Sequence, residues 1–96
     1  MQPNEQESAS GTIDDLFRIL IPHSLRKQLN WEPGMSLTFV VSKTSLEFSA
    51  QEGGAYSLDD FGRITLSQDL MATMGWSVGS KVDISLQEIG NGVALC

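Results

Sequence analysis

Two acidic pairs, each followed by an arginine at the same distance, are the side chains best suited to chemistry in this sequence. Asp14-Asp15 precedes Arg18, and Asp59-Asp60 precedes Arg63. Neighbouring carboxylates can hold a metal ion or act as catalytic acids, and arginines can contact phosphates or base edges. Aspartate also forms tight turns, because its side chain accepts hydrogen bonds from nearby backbone N–H groups. We therefore predict turns for the acids, and two open roles for the arginines: ion pairing within the turn, or contact with nucleic acid.

The sequence does not predict an enzyme. His23 is the only histidine and Cys96 the only cysteine, which are too few for a zinc site of the usual kind. We find no glycine-rich phosphate loop, no metal-ligand spacing and no nucleophile–base pair. We therefore expect no catalytic residue, no metal and no cofactor.

The acidic pairs and their arginines belong to a longer repeat. At a shift of 45 residues, seven of the 28 positions from 14 to 41 are identical to their partners: Asp14/Asp59, Asp15/Asp60, Arg18/Arg63, Ile19/Ile64, Leu25/Leu70, Trp31/Trp76 and Gly34/Gly79. An ungapped match of this length indicates two copies of one small unit. A unit of roughly 40 residues rarely folds alone. We therefore expect each copy to bury its hydrophobic face against the other.

Each copy predicts the same order of elements, β-β-α-β-β. A short strand leads into the acidic turn, and a second strand begins at the arginine. A short helix then begins at Pro22 in the first copy and after an N-cap at Ser67 in the second. It ends at Asn30 or Gly75, the two residue types that most readily adopt the left-handed conformation. A hairpin completes each copy, so the fold class is mainly β with short helices.

The composition predicts one compact domain with a tail. Residues 1–10 are polar and have no apolar pattern, so we predict a disordered tail there. Residues 11–96 are predicted to form a single domain of two repeats, 11–50 and 55–96, joined by a linker at 51–54. No apolar run is long enough to span a membrane, and no signal peptide is recognisable. A single cysteine fits the reducing cytoplasm.

The net charge of −6 opposes binding to nucleic acid, because phosphate contacts dominate such affinity. The charge is uneven, however. Residues 1–50 carry four basic side chains and residues 51–96 carry two, whereas each half carries six acidic ones. A basic surface would therefore come mainly from the first copy.

The run from Asp14 to Pro22, continued by Ser24-Leu25-Arg26-Lys27-Gln28-Leu29, resembles the AbrB/MazE/SpoVT swapped-hairpin family. That family's pattern is approximately Asp-x-x-Gly-Arg-apolar-x-apolar-Pro-x-x-apolar-Arg. The run from Asp59 to Leu70 resembles it too, so the resemblance covers about residues 11–96. The chain departs from the pattern at three places: Phe17 replaces the glycine, Ser67 replaces the proline, and Met71-Ala72 replaces the basic pair.

The resemblance implies that two β-β-α-β-β units interleave as a pseudo-twofold swapped-hairpin barrel, here within one chain as in the related MraZ-type proteins. Most members are bacterial transcription regulators or antitoxins that bind DNA through a basic surface. The matching basic residues are Arg18, Arg26 and Lys27 in the first copy and Arg63 in the second. The resemblance thus implies a cytoplasmic DNA-binding transcriptional regulator, either a monomeric pseudo-dimer or a homo-oligomer, with duplex DNA as its partner.

The alternative is a protein-interaction or assembly module that keeps the fold and has largely lost its DNA contacts. The net charge of −6 and the loss of basic residues at Met71-Ala72 favour it. Arg26 and Lys27 would then belong only to a solvated helix face. An antitoxin is a less favoured form of this alternative, because the family's antitoxins carry a long acidic C-terminal extension and the chain here ends with its last predicted strand.

Overall fold

The computed structural model describes residues 8–87 and 92–96, and it is mainly β with two short helices. The described elements are β1 (Ser8–Thr12), β2 (Arg18–Leu20), α1 (His23–Leu29), β3 (Ser36–Val41), β4 (Leu46–Ala50), β5 (Tyr56–Ser57), β6 (Arg63–Thr65), α2 (Gln68–Met74), β7 (Lys81–Leu86) and β8 (Gly92–Leu95). The predicted order β-β-α-β-β therefore occurs twice. Neither described helix has the length and apolar character needed to cross a membrane.

Six strands form a curled antiparallel sheet in the order β1-β7-β8-β4-β3-β5. The first strand of each repeat pairs with the third strand of the other, β1 with β7 and β5 with β3. The last strands of the two repeats, β4 and β8, pair with each other, with Glu47 opposite Ala94. Backbone hydrogen bonds between the repeats therefore hold the sheet together at three places.

The strands β2 and β6 form a separate two-stranded ribbon. Ile19 lies directly opposite Ile64, and both side chains are completely buried. Because neighbouring residues of a strand point to opposite faces, Arg18 and Arg63 lie on the other, outer face of this ribbon. The ribbon thus brings the two repeat-equivalent arginines to one surface.

One hydrophobic core joins the two repeats. Its completely buried members come from both repeats and from most of the strands: Ile19, Ile21, Leu37, Leu46, Phe48, Ile64, Val82, Ile84, Val93 and Leu95. Each such side chain stabilises the fold by about 1.5–3 kcal/mol relative to exposure to water. The core depends on both repeats, since residues of the two contact one another throughout the six-stranded sheet.

The two helices begin differently and end alike. Ser67 is the N-cap of α2, and its Oγ accepts a hydrogen bond from the N–H of Leu70 at 3.1 Å. Pro22 is the N-cap of α1 rather than its first helical residue, because its ψ of 145° is extended. Asn30 and Gly75 end the helices with φ of 58° and 73°, which confirms the predicted left-handed ends.

The first strand begins earlier than the sequence predicts. Residues 8–10 do not belong to a disordered tail but pair with β7, with Ser8 opposite Ser85 and Ser10 opposite Asp83. Strand β1 lies at the edge of the sheet and is held by backbone hydrogen bonds, so it does not need the apolar side chains from which strands are predicted. The rest of the predicted tail, residues 1–7, lies outside the described residues.

The linker at 51–54 is a tight turn. The N–H of Gly54 donates to the carbonyl of Gln51 at 3.0 Å. A Cβ at Gly54 would collide with the carbonyl of Leu37, so only glycine fits there. The turn therefore packs closely against β3 and sets the point at which the chain enters the second repeat.

Candidate nucleic-acid interface

The two acidic turns have the same set of hydrogen bonds. In the first turn, Asp14 Oδ1 accepts from the backbone N–H groups of Leu16 (3.0 Å) and Arg18 (2.8 Å), and its Oδ2 accepts from Arg18 Nε at 2.7 Å. In the second turn, Asp59 makes the equivalent bonds, with 2.9 Å between its Oδ2 and Arg63 Nε. The ion pair predicted within each turn is therefore present.

These bonds set the protonation of the two carboxyls. Partial burial by itself would raise the pKa of Asp14, but the hydrogen bonds from the backbone N–H and guanidinium of Arg18 outweigh it and hold this pKa below its ordinary value. The pKa of Asp59 is lowered by the same balance, with Arg63 as the donor. Both carboxylates are therefore ionised at neutral pH and fix the position of an arginine.

Each arginine keeps part of its hydrogen-bonding capacity. Arg18 and Arg63 use Nε for the ion pair, and among the described residues we find no hydrogen bond from their terminal Nη groups. The two residues are diagonal neighbours on the outer face of the β2–β6 ribbon, about 7–8 Å apart at their α-carbons. The ribbon therefore presents two held guanidinium groups to solvent.

Arg26 lies against the turn of the other repeat. Its Nε donates to the carbonyl of Ile21 at 2.8 Å, and its guanidinium occupies the space where a Cβ of Gly62 would be. The next helical residue, Lys27, is exposed, and together with Arg26 and Glu32 it lines a shallow groove beside α1. Arg26 of the first repeat therefore lies beside the turn that carries Arg63, and Lys27 follows Arg26 on α1. We call these three residues the basic end.

Phe61 is a residue of this end that the sequence did not single out. It lies in the turn before Arg63 and is 69% exposed. The Arg63 Cζ is 4.9 Å from the centre of its ring, which is a cation–π distance. The sequence does contain a signal for this residue. The turn itself needs only aspartate and glycine, so a large aromatic side chain there indicates a role other than forming the turn.

The equivalent surface of the other repeat is apolar. Phe17 takes the place of Gly62, with a φ of 64°, and its carbonyl accepts from the N–H of Leu66 at 2.8 Å. A groove of about 520 Å³ lies beside it, and we define this apolar groove by five of its lining residues: Phe17, Met71, Ala72, Trp76 and Val78. The two repeats thus build one surface twice on similar backbones, with Arg26 and Lys27 on the helix in the first repeat and Met71 and Ala72 in the second.

The acidic pairs do not converge with other candidate ligands. Within residues 8–87 and 92–96, no group of three or more His, Cys, Asp or Glu side chains is placed to hold a metal ion. His23 is exposed at the start of α1 and lines the groove that also contains Lys27.

Comparison with known proteins assigns no family. No protein-family model matches the sequence, and neither a curated protein nor a solved structure matches it. The function is therefore inferred from the residues themselves and from the surfaces that they form.

Proposed function

We propose that this chain is a DNA-binding transcriptional regulator with a swapped-hairpin architecture, in which the two repeats form a pseudo-twofold body. The exchange of strands between repeats supports the architecture, since β1 pairs with β7 as β5 pairs with β3. In the ribbon, Ile19 lies opposite its own repeat equivalent, Ile64, as expected where a twofold axis passes between two strands.

A second position supports the same axis. In the sheet, Glu47 lies opposite Ala94, which is its equivalent once the second hairpin is allowed two extra residues. Flanking pairs follow the same relation, because Leu46 lies opposite Leu95 and Phe48 opposite Val93. The pairings at both places fit one axis that relates the whole first repeat to the second.

The observation that carries the DNA proposal is the packing of Arg26 against the turn of Arg63, with Lys27 next to Arg26 on α1. These residues are distant in sequence, yet they lie at one end of the body, and Arg18 faces outward on the adjoining ribbon. Separate phosphates can be contacted from such a surface, and the bound carboxylates hold two of the guanidinium groups ready for contact.

We assign different contacts to the ribbon and the helix. The major groove of B-DNA admits a two-stranded β-ribbon, so the outer face of β2–β6 would bring Arg18 and Arg63 to base edges or phosphates. Lys27, exposed on α1, would contact a phosphate and so add to affinity without reading sequence. A net charge of −6 does not exclude this, because a local cluster creates its own field near the surface.

The test compares Lys27→Gln with Lys43→Gln, which changes the charge equally at the tip of the β3–β4 hairpin. Binding to random duplex DNA is measured by fluorescence anisotropy from about 50 to 200 mM salt, over which phosphate contacts lose affinity steeply. Lys27→Gln should weaken binding and reduce the slope of log K against log salt by about 0.9. Lys43→Gln should leave both unchanged. Equal losses in the two variants, or no binding by the unmodified chain at low salt and micromolar protein, would reject the proposal.

A second candidate is the protein-interaction or assembly module, and the apolar groove favours it. Val78 is 47% exposed there, and Phe17, Met71 and Trp76 line the same depression. Grouped apolar side chains at a surface are typical of contact with another macromolecule. This candidate does not exclude the first, because the groove lies beside the repeat that has lost its basic pair.

A further inference from the structure

Two exposed apolar features of this chain are suited to contact each other, since one is recessed and the other projects. One is the apolar groove, which is concave and about 520 Å³ in volume. The other is the ring of Phe61, which projects from the tip of a tight turn and is 69% exposed. A large projecting ring and an empty concave surface of apolar side chains are the two halves of a common kind of contact.

The turns beside these two features carry the same charges, two aspartates and one arginine each, and the charge difference lies in the helices: α1 carries Arg26 and Lys27, whereas α2 carries Asp69. Asp69 precedes Ala72 of the groove by three residues on α2, and residues three apart lie on one side of a helix. Asp15 adjoins the same groove in sequence, as Asp60 adjoins Phe61, and we find no ion pair for Asp15 or Asp69 among the described residues. Phe61, by contrast, is adjacent to the basic end.

Phe61 cannot enter the groove of its own chain. Phe17 precedes Arg18, and Phe61 precedes Arg63, and the register of β2 and β6 places these two turns at opposite ends of the ribbon. About five residues of strand separate them, which is roughly 17 Å at 3.3 Å per residue. A Phe61 ring that enters this groove therefore belongs to another molecule.

We propose that a second copy of this chain binds head to tail, with its Phe61 in the apolar groove and its basic end against Asp15 and Asp69. The same chain carries both complementary surfaces, and opposite charge fixes their orientation. The contact is heterologous, since different surfaces of the two copies meet, and it therefore extends to open chains or closes into a ring. The interface is small, so the association is weak and depends on concentration.

This association does not rest on the proposed binding of DNA and is measured without DNA. DNA and a second copy of the chain would nevertheless both contact the basic end. A copy whose basic end lies against the groove of another copy would therefore not bind DNA through that end. Free basic ends would then be limited to one for each open chain of copies.

The experiment is sedimentation velocity at protein concentrations up to about 1 mM, a range chosen because a small interface is expected to be weak. The unmodified chain should show a weight-average mass that rises with concentration and falls with added salt. Phe61→Ser and Val78→Asp should each remain monomeric. Val40→Ser is the matched control, since Val40 is 58% exposed on β3 and belongs to neither surface, and it should associate normally.

Mixing the two deficient variants gives the decisive result. The Phe61→Ser chain keeps an intact groove and the Val78→Asp chain keeps an intact Phe61, so an equimolar mixture should form 1:1 dimers and nothing larger. Circular dichroism checks that each variant is folded. A monomeric unmodified chain over the whole concentration range, an equal loss in Val40→Ser, or a mixture that stays monomeric would each overturn the proposal.

Discussion

The guanidinium of Arg26 packs against Gly62, which belongs to the turn of the other repeat. At the equivalent place in the second repeat, Phe17 and Met71 replace this pair and line the apolar groove. Both residues of the contact therefore differ between the repeats. The small Gly62 is paired with the long Arg26, and the large Phe17 is paired with the shorter Met71. The two ends of one pseudo-symmetric body have in this way acquired different chemistry.

Replacing Gly62 by alanine should destabilise the fold more than the same change at another left-handed glycine. Gly34 has a similar φ, 87° against 85°, but a Cβ there would meet nothing within 4 Å. Gly34→Ala should therefore lose about 1–2 kcal/mol through the left-handed backbone alone. Gly62→Ala should lose about 1 kcal/mol more, because Arg26 has to move and its Nε gives up the hydrogen bond to the carbonyl of Ile21. Urea unfolding measures both, and equal losses would show that Arg26 does not pack on this turn in solution.

Stability should fall in acid because of Asp14 and Asp59. Their pKa values are lowered in the folded state, so the stability that they contribute is present above the unfolded pKa of about 3.9 and is lost as pH falls through the folded values. Asp14→Asn and Asp59→Asn should each lose about 1 kcal/mol at pH 7. They should also flatten the acid limb of a plot of unfolding free energy against pH. Asp60→Asn removes the same charge nearby and serves as control; a matching flattening in this variant would contradict the assignment.

Trp31→Phe should be unusually mild for a change to a core tryptophan. Trp31 is 5% exposed, and its Nε1 is buried without a hydrogen-bond partner among the described residues. An unpaired buried donor destabilises by about 1–3 kcal/mol, and phenylalanine removes it while keeping much of the apolar contact. We expect an unfolding free energy within about 1 kcal/mol of the unmodified chain. A loss of about 3 kcal/mol or more would indicate a buried water bound to Nε1.

The first repeat should not fold alone as a monomer. In a peptide of residues 1–54, β1 lacks its partner β7, and β4 lacks β8. The peptide should be either unfolded or a homodimer in which a second copy replaces the missing repeat. Circular dichroism and sedimentation distinguish these states. A well-folded monomer would contradict the pseudo-twofold body.

Local features of the fold were predictable because the residues that make them are neighbours in sequence. The Asp14–Arg18 spacing predicts its turn, and Asn30 and Gly75 predict the ends of the helices; the structure confirms all of these. The predicted start of strand β1 was later in the chain than the observed one, because the strand is stabilised at the sheet edge by β7, about 70 residues away. Polar residues such as Ser8 and Ser10 form no apolar pattern from which this long-range backbone pairing could be predicted.

The candidate site was predictable in part. The repeat and the family resemblance single out Arg18, Arg26, Lys27 and Arg63, and their contact with DNA stays a prediction. The packing of Arg26 on Gly62 and the pairing of Phe61 with Arg63 were not foreseen. The first depends on how the repeats dock, and spacing within one repeat contains no information about that. The second concerns a side chain that the turn does not require.

The last strand in chain order, β8, lies between β7 and β4 at the centre of the sheet. During synthesis the chain emerges from the ribosome with its N-terminus first, so both halves of the sheet are exposed before the strand that unites them is made. Closure has to wait until residues 92–95 have left the exit tunnel. Until then, the nascent first repeat presents unpaired strand edges, and these edges are open to pairing with a neighbouring nascent chain instead of with the second repeat of the same chain.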